Sequence, residues 1–325
     1  MTAQNKLLIS FVVPVFNEEE NVLPFYQAVS HQADLLAGQY DFEFVFTDNH
    51  STDRTFELLR GIVAKDSRVR AYRFSKNFGY QHSIMTGYSK CRGDAAIQLD
   101  CDLQDPPELI PTFLAEWRHG ADVVYGVRKQ RAEGWMGTFA RSAFYRLADL
   151  LSEDKLPVDA GDFRLVSRRI IDLLSSCEDA QPYLRGTIAT FGFKQVGIEY
   201  VRSARERGES KFPLSKMIAL AIDGILNHST VPLRISTFFG IGVSALTFLV
   251  MLGYLVTKLL FQLPWPAGFT TLAALILLSI SINAMLLGII GEYLGRMYRQ
   301  IRKKPFTIIE RVIERDPGEG AGVPE

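Results

Sequence analysis

Two carboxylates, Asp100 and Asp102, stand two residues apart in the segment IQLDCDLQDPPELI. In an extended chain residues i and i+2 face the same side, so both can point at one ion. Two close, hard oxygen donors suit Mg2+ or Mn2+, ions that keep waters and take phosphate oxygens as further ligands. Asp105, followed by two prolines and Glu108, reads instead as a helix start. Three further polar clusters, Asn17-Glu18-Glu19, Thr47-Asp48-Asn49 and Ser75-Lys76-Asn77, each follow a short apolar run. No GxGxxG follows the first run, so the site is a nucleotide site of another kind than a dinucleotide fold's. Cys91, Cys101 and Cys177 have no CxxC spacing and support neither a disulfide framework nor a zinc site.

The elements that must position these groups alternate. LLISFVVPVF, FEFVFT, VRAYRF, DAAIQLD and ADVVYG are apolar runs of strand length, and helix-like stretches lie between them at 19–36, 53–64, 80–90 and 107–118. A period of roughly 25 residues is that of βα units, which predicts an α/β fold with a mainly parallel sheet and helices on both faces. Ligands in such sheets bind beyond the carboxyl ends of the strands, at a switch in strand order.

The last third has a different composition. Ile235–Thr257 carries no charge, enough to cross a ~30 Å hydrocarbon core as a helix, and a second charge-free stretch runs from Leu259 to Gly291. Its opening, LFQLPWPAG, reads as a turn, leaving about 269–290 as a second span and the pair as a transmembrane hairpin. Arg234 precedes the first span and Arg296, Arg299, Arg302, Lys303 and Lys304 follow the second, while the turn has only Lys258. The positive-inside rule then places the catalytic domain and both termini in the cytoplasm of a multi-pass inner-membrane protein. The first twenty residues lack the h-region and cleavage site of a signal peptide. The 325 residues include 36 basic and 36 acidic groups, so no net field draws the chain to nucleic acid. The boundaries expected are a catalytic domain over 1–211, an amphipathic interfacial segment over 212–231, the hairpin over 232–295 and a cytoplasmic tail over 296–325. Trp135–Leu151 is a second amphipathic candidate. Gly240, Gly242 and Ala245, with Gly288, Gly291 and Gly295, allow close helix approach and hence a homo-oligomer.

FVVPVFNEEENV, FTDNHSTDRT, SKNFGYQHSIMTGY, LDCDLQDPPELIP, VVYGVRKQR, GDFRLVSRR and GESKFPLSKMIALAIDGILNHSTVPLR, in that order, resemble family 2 glycosyltransferases of GT-A fold. The resemblance covers about residues 7–310. Within the family it is nearest the polyprenyl-phosphate glycosyltransferases, a group that includes dolichyl-phosphate mannosyltransferases and bacterial bactoprenol glucosyltransferases. One departure stands out. Where the family usually reads V-D-D-G-S, this chain has Thr47-Asp48-Asn49-His50-Ser51, so only Asp48 inherits a base-recognition role.

The resemblance implies a nucleotide site of Pro14, Phe16, Glu18, Asp48 and Asp100. An aromatic face suits a flat base, and a carboxylate accepting an imide N–H favours uracil. It implies that Asp100 and Asp102, with Gln104 assisting, hold a divalent metal, Mg2+ or Mn2+, on the pyrophosphate. Arg128 and Arg131, and then Arg202, Ser210 and Lys211, would face the phosphate of a polyprenyl acceptor. Asp102, Asp159 and Asp162 are the catalytic candidates, the last two as base or sugar-hydroxyl ligand, with Arg164 orienting an Asp or a phosphate. The function implied is inverting transfer of one hexose, glucose favoured, from a UDP-sugar to undecaprenyl phosphate at the bilayer. Two competitors stay open: a processive polysaccharide synthase, disfavoured because Gln-x-x-Arg-Trp is missing, and an inactive membrane scaffold that keeps the fold.

Overall fold

The computed structural model describes residues 6–128, 160–177, 182–201, 268–301 and 305–315, with isolated positions between 238 and 260. Its elements are β1 (Leu7–Val15), α1 (Val22–Leu36), β2 (Tyr40–Asp48), α2 (Thr55–Val63), β3 (Val69–Phe74), α3 (Tyr80–Lys90), β4 (Ala95–Gln98), a 3-10 turn at Pro107–Leu109, α4 (Ile110–Arg118) and β5 (Val123–Arg128). There follow β6 (Ala160–Ser167), α5 (Arg168–Ser176), α6 (Leu184–Thr190), β7 (Gln195–Tyr200), α7 (Phe269–Ile301) and β8 (Ile309–Ile313).

The sheet order is β7-β5-β6-β4-β1-β2-β3-β8. β1 pairs in parallel with both β2 and β4, so the order reverses at β1 and the crevice beyond its carboxyl end is the expected ligand position. Six strands run one way; β6 and β8 run against them. The mainly parallel α/β arrangement expected of a GT-A fold is therefore present, with two reversals that the alternating pattern does not reveal.

Each strand face has its own core. Ile9, Phe11, Val13 and Val15 of β1 pack with Val22, Phe25 and Val29 of α1, Leu59 of α2 and Phe113 of α4. Val12 and Val45 point the other way, onto Ile84 and Tyr88 of α3, Ile170 of α5 and Ile188 of α6. The period of two along the strand thus meets helices on both faces. Gly87 makes the closest approach: a Cβ there would lie 2.3 Å from Val12 Cγ1, so α3 can seat on β1 only through glycine.

Pro14 sits inside a central strand without breaking the ladder. Val12 O accepts from Leu99 N while Val15 O accepts from Asn49 N, so even positions face β4 and odd ones β2. The β1–β4 ladder stops at Val12–Gln98, and the missing Pro14 N–H points past its end.

The chain divides into two compact units. One comprises Met1–Arg141, Leu156–Lys211 and Lys303–Glu325; the other comprises Ser142–Lys155 and Phe212–Arg302. Within the second, α7 is 33 residues long, about 50 Å at 1.5 Å per residue. Its window Leu278–Gly295 has a mean hydropathy of 1.4 and none of it is buried. This is the one helix among the described residues long and apolar enough to cross a bilayer. The two-helix hairpin is accordingly not seen as such: most of the first expected span, Ile235–Thr257, lies outside the described residues, as do Trp135–Leu151 and 212–231. Beyond α7, part of the expected tail becomes β8, antiparallel to β3 at the sheet edge.

Candidate active site

Three loops meet at the carboxyl ends of β1, β2 and β4. The described non-glycine residues with positive φ are Asn17 (55°), His50 (65°) and Leu103 (55°), one in each loop. Left-handed backbone outside glycine costs energy and concentrates at functional sites. His50 occupies the position where the family pattern has glycine, and its Nδ1 donates to Phe74 O at 2.9 Å. A carbonyl can only accept, so Nδ1 carries the proton.

The first two loops are laced together. Asn17 N donates to Ser51 Oγ, Thr52 N to Asn17 Oδ1, and Glu18 N to Thr55 Oγ1. Phe16 stands 43% exposed at this rim, the most open of the candidate base-facing residues; Pro14 is buried in β1. Glu18 is half-buried, and its Oε2 accepts from Asn21 Nδ2 at 2.6 Å. Asp48 is fully buried, one oxygen accepting from Ser51 N at 2.9 Å and the other 3.3 Å from Arg73. Burial pushes its carboxyl above the usual value, against the lowering by Ser51, Arg73 and His50. Asp48 thus builds the β2 loop whatever else it binds, and Arg73, absent from the sequence reading, is its counter-charge.

At β4 the strand ends at Gln98, and Asp100 and Asp102 lie in the following turn. The extended-chain argument for their common face is corrected to that extent: the turn, not the strand, presents them. The alternation survives, with Cys101 buried between two half-buried carboxylates. Asp102 Oδ1 accepts from Gln104 N at 3.2 Å. Asp100 Oδ1 accepts from the Tyr80 hydroxyl at 2.5 Å, and Gln98 Nε2 donates to the same hydroxyl at 3.1 Å. Burial first, then the charges of Asp162, Asp105 and Asp102, push Asp100 up to about 7 despite that hydrogen bond. Burial and the charges of Asp100 and Asp162 push the Tyr80 phenol far up, so it stays a donor.

Asp162 enters from β6. Antiparallel pairing sets Gln98 against Arg164, which brings Asp162 opposite the end of β4. Arg185 of α6 grips it with both arms, Nε to Oδ1 at 2.8 Å and the terminal nitrogen to Oδ2 at 2.5 Å, while Arg164 lies 3.7 Å away. Burial alone would raise this carboxyl; the Arg185 hydrogen bonds and the charges of Arg185, Arg164 and Arg128 outweigh it and hold Asp162 below the usual value. Arg128, half-buried at the end of β5, donates to the Tyr200 hydroxyl at 3.4 Å, and that hydroxyl donates to Asp105 Oδ1 at 2.5 Å. Asp105, just ahead of the Pro107–Leu109 turn, is buried and tied to β7 through that bond.

The structure therefore brings Asp100, Asp102, Asp162 and Arg128 to one end of the sheet and adds Tyr80, Arg185 and Tyr200. SKNFGYQHS carries Tyr80 in a quoted motif, but no spacing marks Arg185 or Tyr200. Asp159, Arg131, Arg202, Ser210 and Lys211 lie outside the described residues. As for a metal, the donor set fits: two carboxylates in one turn, one with its proton affinity raised by burial and then by neighbouring carboxylates, leave room for phosphate oxygens and water in a hard cation's shell. Among the described residues no group of three or more metal-ligating side chains exists, so substrate oxygens would have to complete it.

The model of the "Glycosyl transferase family 2" family matches residues 10–174. The chain is 39% identical over 93% of its length to the uncharacterized glycosyltransferase YkcC of Bacillus subtilis, covering 93% of that protein. It is 35% identical over 94% of its length to a prophage bactoprenol glucosyl transferase homolog of Escherichia coli, covering 99% of it. The SfII prophage-derived bactoprenol glucosyl transferase of Shigella flexneri is 34% identical over 93% of this chain and 97% of its own. Among solved structures, glucosyl-3-phosphoglycerate synthase from Mycobacterium tuberculosis in complex with UDP overlaps 68% of this chain and 80% of its own, at 22% identity and a TM-score of 0.47. Most of the first strand, the D-x-D turn and the β6 carboxylate fall inside the matched segment, and the chain belongs to glycosyltransferase family 2.

Proposed function

We propose that this glycosyltransferase moves one hexose, glucose in the first instance, from a UDP-sugar to a polyprenyl phosphate, undecaprenyl phosphate in a bacterium, with inversion. The observation that carries this reading is the length of the match. Relatives named bactoprenol glucosyl transferase align over 93–94% of the chain, a span that reaches past the D-x-D domain into the exposed apolar region. That region would form a membrane hairpin with the catalytic domain at its cytoplasmic face, which supports a lipid acceptor.

The chemistry follows from the groups in place. Phe16 offers a ring to the base, and Asp48, Pro14 and Glu18 are the remaining base-side candidates. Asp100 and Asp102, with Gln104, would hold a divalent ion, which when bound supplies charge neutralisation at the leaving diphosphate. A phosphate oxygen of the acceptor attacks the anomeric carbon, the bond to the diphosphate oxygen breaks, and UDP leaves with the electron pair. A lipid phosphate is already an anion at neutral pH, so no base has to deprotonate it. Asp162, clamped by Arg185 and kept ionised, suits accepting a sugar hydroxyl and holding the ring; Asp159 is the alternative. Arg128, Arg131, Arg202, Ser210 and Lys211 are the proposed acceptor-phosphate cations and donors. Incubating the purified protein with undecaprenyl phosphate and a panel of nucleotide sugars, then weighing the lipid product, tests the reading. One added hexose supports it; polymer or no lipid product overturns it.

A further inference from the structure

The departure at Asn49 is wired into the site by a network whose donors and acceptors are all fixed. Asn49 is 4% exposed at the end of β2. Phe78 N donates to its Oδ1 at 2.8 Å, and a backbone N–H can only donate, so that atom is the oxygen. Gly79 N likewise donates to Asn77 Oδ1 at 2.8 Å, which fixes the second amide. The remaining contact, Asn49 Nδ2 to Asn77 Oδ1 at 2.9 Å, is therefore donor to acceptor. Gly79, at φ 96°, turns the chain into α3, whose first residue is Tyr80, and Tyr80 holds Asp100. The two amides thus tie the end of β2 to the segment that delivers the Tyr80 hydroxyl.

An aspartate at 49 would keep the Phe78 bond but set an oxygen against Asn77 Oδ1. Turning the Asn77 amide over would relieve that contact only by taking the acceptor from Gly79 N. The family-like carboxylate would thus cost the pair its hydrogen bond, or Gly79 its acceptor. We infer that the Asn49–Asn77 amide pair is a positioning device for the donor site, fixing Gly79 and Tyr80 so that the Tyr80 hydroxyl holds Asp100 in place for the nucleotide diphosphate. This rests on the donor reading above, and Asn49 acts through Tyr80 rather than on substrate.

The test uses the full-length protein in detergent and four backgrounds: parent, Asn49→Asp, Asn77→Ala and Tyr80→Phe, with the doubles that combine Asn49→Asp with each of the others. Two readouts are taken: amide hydrogen exchange over residues 76–84 without ligand, and the UDP dissociation constant with Mn2+ present. Asn49→Asp should speed exchange at Gly79 by about tenfold or more and weaken UDP by about tenfold. In the Asn77→Ala background it should add little to either, because the opposing oxygen is gone. In the Tyr80→Phe background it should still speed exchange yet weaken UDP less than about twofold. A merely structural role would give the same loss of UDP binding with or without the hydroxyl. Asn49→Asp with parental exchange and parental UDP affinity would overturn the device, and so would equal losses in the parent and Tyr80→Phe backgrounds. A parent that binds no UDP with Mn2+ overturns the donor reading, and with it the device's service to that site; the exchange data still decide whether the pair fixes the loop.

Discussion

Asp100 and Asp102 were legible as a pair from their spacing alone, and the groups that make them a site were not. Tyr80 lies in a family-like motif that assigned it no role, and Arg185 on a helix whose sequence gives no sign of chemistry; topology delivers them to the ends of β4 and β6. Asp48 shows the converse, a residue legible from a motif that turns out to be fully buried and committed to Ser51 and Arg73. Asp102→Asn should leave the fold and membrane association unchanged and lower sugar transfer by about a hundredfold or more, because an ion held by so few protein oxygens loses one charge. Near-parental turnover at modest Mg2+ or Mn2+, with unchanged thermal unfolding, would remove the metal assignment. Arg185→Ala strands a carboxylate that is 7% exposed, leaving Arg164 at 3.7 Å as its ion-pair partner among the described residues. A loss of roughly 2–3 kcal/mol is expected in denaturant unfolding, short of the full cost of an unpaired buried charge; a change under about 0.5 kcal/mol would mean the pair is solvated.

The first five strands and the four helices between them were legible from their apolar runs and spacing, α3 matching the expected 80–90, whereas α5 and α6 were not foreseen. Strand direction was not, because β6 has the same apolar run whichever way it is laid down; its reversal is set by pairing with β4 and β5. β8 was missed because IERVI is a short, half-charged strand whose partner lies far back in the chain at β3. Deleting 305–325 should therefore expose the β3 edge, lower the unfolding temperature and increase aggregation; unchanged melting and solubility would mean that β8 is ornamental. Just ahead of β3, Asp66 accepts from Tyr26 at 2.6 Å and pairs with Arg68 at 2.8 Å. Burial would raise Asp66, but the hydrogen bonds from Arg68 and Tyr26 hold it below its ordinary value. A depressed carboxylate stabilises the fold above its unfolded pKa and loses that contribution as pH falls through the folded one. Asp66→Asn should thus cost roughly 1–3 kcal/mol at pH 7, and the gap to the parent should narrow once pH drops below the usual carboxylate range. A gap that stays constant down to pH 2 would show that the charge is not what matters.

The molecule combines a sheet carrying every described candidate of the site with a 33-residue helix whose window Leu278–Gly295 is apolar and unburied. Length and lack of charge over about 269–290 made that helix legible as a candidate span. What it serves depends on the acceptor, and the acceptor is the central claim. The most direct measurement is made on the full-length protein in liposomes containing undecaprenyl phosphate, given radiolabelled UDP-glucose and Mg2+ or Mn2+. The account predicts label in the organic extract, as a lipid one hexose heavier per phosphate, that falls to background when undecaprenyl phosphate is omitted and in Asp102→Asn. Label that stays in water while UDP is released, or that appears in polymer, would contradict it.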